Sequence, residues 1–166
     1  MSPKLKNILF GTGLLVLLIV AGYYREIFFV HVNMQVYMNY YQETDSTYNY
    51  HFPEWLLFLK QYSNAALLRI KWIMTVLVFF FYMGICLLTV WFYFRNKQYS
   101  LITIAIHGLL FLVAGIFYTL GKITGKGLEG YTLAREFMGI LQSPLVLMIL
   151  LPTFIISSRN KTVHHE

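Results

Sequence analysis

Four stretches of this chain carry no Asp, Glu, Lys or Arg: residues 7–24, 72–94, 99–120 and 137–158. An α-helix rises about 1.5 Å per residue, so roughly 20 such residues cross the hydrocarbon of a bilayer. The last three stretches exceed that length, and the first just reaches it. The expected fold is therefore all-α: a polytopic membrane protein, one membrane domain spanning residues 1–166, with four transmembrane helices. Only 12% of the residues are charged, about half the share in soluble domains, so lipid must cover part of the surface.

The cations give the orientation and exclude one class of partner. A net charge of +6 is compatible with nucleic acid, but the Lys and Arg residues form no patch. They flank the apolar runs, where phospholipid headgroups lie. Lys4, Lys6, Arg95, Lys97, Arg159 and Lys161 fall in two short tails and one tight turn, whereas seven others spread over the longer connections. The denser group places both termini in the cytoplasm under the positive-inside rule. Residues 25–71 and 121–136 then lie outside. A cleaved leader ending near Val20 and Gly22 is the alternative for the first run; Tyr23-Tyr24 reads instead as an interfacial anchor. A single cysteine, Cys86, rules out an intrachain disulfide framework.

The first outer segment is the unusual part. Residues 23–62 hold thirteen aromatics, a density suited to the headgroup zone. Residues 27–41 fit a strand by local alternation, or a helix by apolar positions 27, 30, 34, 37 and 41 with His31, Gln35 and Asn39 as a polar stripe. An isolated strand would leave its edges unpaired, so the spacing predicts an interfacial amphipathic helix. Gln42 to Ser46 reads as a solvated acidic turn. Pro53 and Glu54 open a helix with Trp55, Leu56, Leu59 and Tyr62 on its apolar face, and Ser63-Asn64 caps the helix that follows. Together they would make an outer aromatic helical cap over residues 25–71. The second outer connection, 121–136, is rich in glycine and is expected to be mobile or tightly turned. Pro144, behind Gln142 and Ser143, is expected to bend the fourth span, and Pro152 sits near its exit.

Few residues could carry chemistry. Antiparallel second and third spans, turning between Asn96 and Lys97, place Cys86 level with His107, about 12 Å from the cytoplasmic face. A thiol beside an imidazole is material for nucleophilic catalysis; the alternative is a small buried hydrophobe and a hydrogen-bonded imidazole. His107, with Gln142, also provides an intramembrane polar group of the kind that lines transport pathways. Ala105, Gly108 and Gly115 would allow close helix packing. Arg25 and Glu26 read either as a docking pair at the outer interface or as a span terminator with its own counter-ion. His31, Asn33, Gln35 and Trp55 complete the candidate interaction surface. His31 and His51 do not have the spacing of a metal motif, His164-His165 reads as a solvated tail, and no cofactor fingerprint is present.

These residues, in this order, resemble a known family. The short first span is followed by Arg-Glu-Ile-Phe-Phe-Val-His-Val-Asn at 25–33, then by Tyr37, Tyr40 and Tyr41. Phe-Pro-Glu-Trp follows at 52–55, and Leu-Arg-Ile-Lys-Trp at 68–72 enters the second span. The pattern is similar to the small membrane proteins associated with exosortases in Bacteroidetes-type bacteria, closest to the exosortase X-associated type. The resemblance implies a bacterial inner-membrane protein with an accessory role beside an exosortase-like membrane transpeptidase in protein sorting and export. Exosortases carry their catalytic Cys, Arg and His at outer-facing positions of a larger bundle. The lone Cys86 lies toward the other side, so the chain is not expected to be the transpeptidase, and no catalytic residue carries over. The remaining functional expectations are a subunit of a small transport or channel assembly and a small intramembrane thiol enzyme.

Overall fold

The computed structural model describes residues 3–41 and 51–163. Five α-helices and one 3₁₀-helix follow in order: α1 (Pro3–Tyr41), the 3₁₀-helix (Glu54–Gln61), α2 (Asn64–Phe94), α3 (Lys97–Ile123), α4 (Gly127–Leu141) and α5 (Leu145–Val163). The described residues contain no strand. Among the described residues, three helices are long and apolar enough to cross a membrane, and α4 with α5 forms a bent pair that meets the same test as one broken span. The protein is thus an all-α, multi-pass membrane protein. The acidic turn read at 42–46 and the His164-His165 tail lie outside the described residues. Two units divide the chain, residues 1–78 and 79–166.

The first unit is built on α1. Its 39 residues reach about 58 Å, nearly twice the hydrocarbon thickness. The helix expected at 27–41 does form, but as an unbroken extension of the first span. Arg25 and Glu26 therefore end no helix: neither residue breaks helical geometry, and nothing between them and Tyr41 does so. The packed face also differs from the one read in the sequence. Phe28, Val32, Gln35 and Met38 are buried, whereas Val30, Tyr37 and Tyr41 are exposed. Of the stripe His31, Gln35, Asn39, Gln35 belongs to this packed face, and the returning chain meets His31 through Phe52 and Asn39 through the Tyr62 carbonyl.

That return is made by the 3₁₀-helix. Pro53 precedes it with its φ at −57°, and the Leu56 amide donates to the Pro53 carbonyl at 2.9 Å. With about three residues per turn, Leu56 and Leu59 fall on one side and are fully buried. They join Phe28, Val32 and Leu67 in one cluster, with Ile70 and Met74 of α2 packed against it. The other two expected members of the apolar face, Trp55 and Tyr62, stay exposed. At the start of α2 the Leu67 amide bonds the Ser63 carbonyl at 2.9 Å, while the Asn64 side-chain oxygen is buried without a hydrogen-bond partner. Asn64 does not cap the helix.

In the second unit, α2 turns into α3 through Arg95 and Asn96. Arg95 takes a left-handed φ of 47°, a conformation usual just past a helix end, and the Asn96 side chain accepts from the Gln98 amide at 2.9 Å. Val90 of α2, Tyr99 of α3 and Val146, Leu150 and Phe154 of α5 form the core there, with the Tyr99 and Phe154 rings stacked at 4.6 Å.

The glycine-rich connection is mostly helix. Only residues 124–126 separate α3 from α4, and Gly125 supplies the positive φ of 73° that the turn requires. Gly121 and Gly130 then bring the two backbones together: a Cβ placed on Gly121 would lie 2.6 Å from the Gly130 Cα. Ala114 and Ala134 are also buried, and Phe117 stacks on Phe137 at 5.5 Å. The close helix contact is thus formed here, and not at Gly108 or Gly115, where an added Cβ would have nothing within 4 Å. Ala105 is exposed.

The bend at Pro144 is a full break of 53° between residues 127–141 and 145–158. Proline cannot donate to the carbonyl four residues back. Ser143 compensates: its hydroxyl donates to the Ile140 carbonyl at 2.8 Å and accepts from the Leu145 amide at 3.3 Å. Pro152, by contrast, sits inside α5 without ending it. Replacing Pro144 by Ala restores the missing donor and is expected to straighten the pair. Spin labels at Leu133 and Ile155 would then report a longer distance.

Candidate functional site

The candidate residues fall into two groups, one in each unit. In the first unit, most of them hold the returning chain on α1. Asn33 accepts from Lys71 of α2 at 2.7 Å. Gln35 donates to the Asn39 side chain at 2.7 Å, and Asn39 in turn donates to the Tyr62 carbonyl at 3.2 Å. The His31 imidazole bonds back to the Ile27 carbonyl at 2.6 Å, and its ring meets Phe52 edge-on at 5.2 Å. Lys60 lies over the other partner of that contact, 4.9 Å from the Phe52 ring centre. Trp55 packs edge-on against Tyr24 at 5.8 Å and remains about half exposed. These contacts hold the 3₁₀-helix and the start of α2 on α1.

Two of the six behave differently. Arg25 is half-buried, with its guanidinium 5.7 Å from the Phe29 ring centre. Glu26 is exposed and forms no ion pair among the described residues. Adjacent helical residues diverge by about 100° and do not face each other, so the pair is not its own counter-ion arrangement. Lys71 and Asn39, the latter already read as part of the polar stripe, were not among the expected interaction residues. Their signals were a cation at the mouth of a span and the third member of the polar stripe.

What the first unit presents outward is aromatic. Tyr37, Tyr40, Trp55, Phe58 and Tyr62 are all more than two-fifths exposed, on segments anchored by the buried Leu56 and Leu59. Phe58 and Tyr62 meet edge-on at 6.3 Å. Such rings combine large contact area with few rotatable bonds, which is why they are favoured at recognition surfaces.

The second unit holds the intramembrane candidates. His107 is fully buried on the α3 stripe Tyr99, Thr103, His107, Ala114, Gly121. One ring nitrogen, Nδ1, bonds the Thr103 carbonyl at 2.8 Å; since a carbonyl only accepts, Nδ1 carries the proton. The other, Nε2, is buried without a hydrogen-bond partner. Phe79 of α2 lies 6.4 Å from the imidazole, centre to centre. Cys86 is a free, buried thiol. With no partner on Nε2 and Nδ1 held by Thr103, the thiol–imidazole bond needed for a nucleophilic pair is not formed. Gln142 is buried at the α4–α5 break, and it too leaves Nε2 unbonded. No group of three His, Cys, Asp or Glu side chains that could hold a metal occurs among the described residues.

Exchanging His107 for Leu removes one unsatisfied nitrogen and keeps a side chain of similar bulk. Burying an unpaired polar group costs about 1–3 kcal/mol, so the variant is expected to unfold in detergent at an unchanged or higher temperature. A marked fall in Tm would mean that Nε2 has a bonded partner in the membrane.

No protein-family profile, curated protein or solved structure matches this chain.

Proposed function

We propose that this chain is a non-enzymatic accessory protein of the bacterial inner membrane. In this reading its first unit docks or positions a membrane partner at the outer leaflet, with both termini in the cytoplasm. The exosortase resemblance of residues 25–33, 52–55 and 68–72 points to an exosortase-like transpeptidase, or that enzyme's substrate, as the partner. One observation carries the proposal most: the outer segment is locked by buried leucines and polar clamps, yet it turns a row of aromatic rings outward. A surface held rigid before binding loses less conformational entropy on association.

The test is co-purification from native membranes. Truncating Tyr37, Trp55 and Phe58 together to Ala removes the outward rings and leaves Leu56, Leu59 and the Asn33–Lys71 bond in place. Hot-spot aromatics are each worth about 2 kcal/mol or more, so recovery of an exosortase-like partner is expected to fall at least about tenfold. Unchanged recovery contradicts the docking role.

A further inference from the structure

We propose that α3 holds one anionic phospholipid, an acyl chain lying in a groove on its lipid-facing side and the headgroup phosphate meeting Lys122. The groove has a volume of about 410 Å³ and is lined by Phe111, Leu112, Gly115, Ile116, Thr119 and Leu120. Gly115 makes the notch. A Cβ built there would have nothing within 4 Å, while Leu112, Ile116 and Leu120 around it are at least half exposed. The hydroxyl in the lining, that of Thr119, donates to the Gly115 carbonyl at 2.8 Å. The groove therefore offers a ligand no side-chain hydrogen-bond donor, which suits a hydrocarbon chain.

Length and charge identify the occupant. From Phe111 to Leu120 the groove runs about 14 Å along the helix, close to half of the roughly 30 Å hydrocarbon thickness. That is the depth of one leaflet, as an acyl chain requires and a crossing helix does not. At the Leu120 end the uncharged run of α3 stops and Lys122 follows. Lys122 is seven residues beyond Gly115 and within about 20° of it around the helix axis, so the cation stands at the head of the notch. Its ammonium lies 4.8 Å from the ring centre of Tyr118, one turn back toward the groove. A ring face orients an ammonium without neutralising it. The neighbouring cation Lys126 is engaged by Glu129 at 3.7 Å, whereas Lys122 has no ion pair among the described residues. A lysine at headgroup level attracts anionic lipid, and this one does so directly above an apolar notch.

Native mass spectrometry of the full chain, released from nanodiscs of equal phosphatidylglycerol and phosphatidylcholine, tests this. One phosphatidylglycerol is expected to stay bound, at least about fivefold in excess over phosphatidylcholine. Lys122→Gln should lower that retention at least about fivefold, and Lys122→Arg should keep it. Gly115→Leu, which fills the open notch with the cation in place, should lower it by a similar factor. Lys97→Gln, at the opposite end of α3, should leave it unchanged. Equal retention of the two lipids by the wild type, unchanged retention in Lys122→Gln, or an equal fall in Lys97→Gln overturns the proposal. So does a Gly115→Leu variant that keeps its lipid, or that loses a co-purifying membrane protein instead, which would assign the groove to a helix. The docking role of the first unit is independent of all these outcomes.

Discussion

Gly130→Ala should lower the Tm in detergent by roughly 2–12 °C. The added methyl would lie 2.5 Å from the Gly121 Cα and 2.6 Å from the Phe117 carbonyl oxygen. Both are backbone atoms, so no side chain can rotate aside, and the α3–α4 hairpin must open. Overpacking of this kind costs about 1–3 kcal/mol or more, and each kcal/mol shifts Tm by roughly 2–4 °C in a chain of this size. Gly121→Ala meets the same obstacle from the other side, 2.6 Å from the Gly130 Cα. Gly115→Ala is the control: its methyl has nothing within 4 Å, and alanine favours a helix over glycine by about 1 kcal/mol. That variant should be neutral or slightly more stable. A similar loss at all three positions would mean that the glycines act through the helix itself and not through the contact.

The second large effect is expected at Leu59. Its side chain is fully buried in the cluster that seats the 3₁₀-helix on α1, and truncation to Ala in such a place costs about 2–5 kcal/mol. The loss should be local. Amide exchange in residues 54–61 should accelerate strongly, while exchange in α3 and α4 stays at its wild-type rate. Leu57→Ala, two residues away and nearly half exposed, should change exchange by less than the equivalent of about 0.5 kcal/mol. Because the outward rings depend on this seat, Leu59→Ala should also weaken recovery of the partner without touching the rings themselves.

The membrane helices were legible because charge exclusion from hydrocarbon is severe enough to be read residue by residue. The uncharged runs 72–94 and 99–120 fall within α2 and α3. Legibility stopped where tertiary contacts decide. The Arg25-Glu26 pair looked like an end because charges commonly mark interfaces, but nothing in either residue breaks a helix, and α1 continues to Tyr41. The packed face of that extension was misjudged because residues 30, 37 and 41 are the apolar choice only for a helix lying alone on lipid. The returning chain adds a second surface: Asn39 donates to its Tyr62 carbonyl, and Gln35 donates in turn to Asn39 within α1. The glycines at 121–130 suggested a loop, since composition alone does not distinguish freedom to turn from the need for two backbones to touch. Cys86 lies on α2 and His107 on α3. Their facing depends on rotation about each helix axis, which spacing across a hairpin does not fix.

If the first unit docks a membrane partner, its exposed aromatic rings meet protein. A photo-reactive amino acid placed singly at Tyr40, Trp55 and Met148, followed by irradiation of native membranes, tests it most directly. Met148 on α5 is 70% exposed and serves as the lipid-facing reference. Discrete protein adducts, shared between them, are expected from positions 40 and 55, and lipid adducts alone from 148. Lipid adducts alone from all three positions would contradict it.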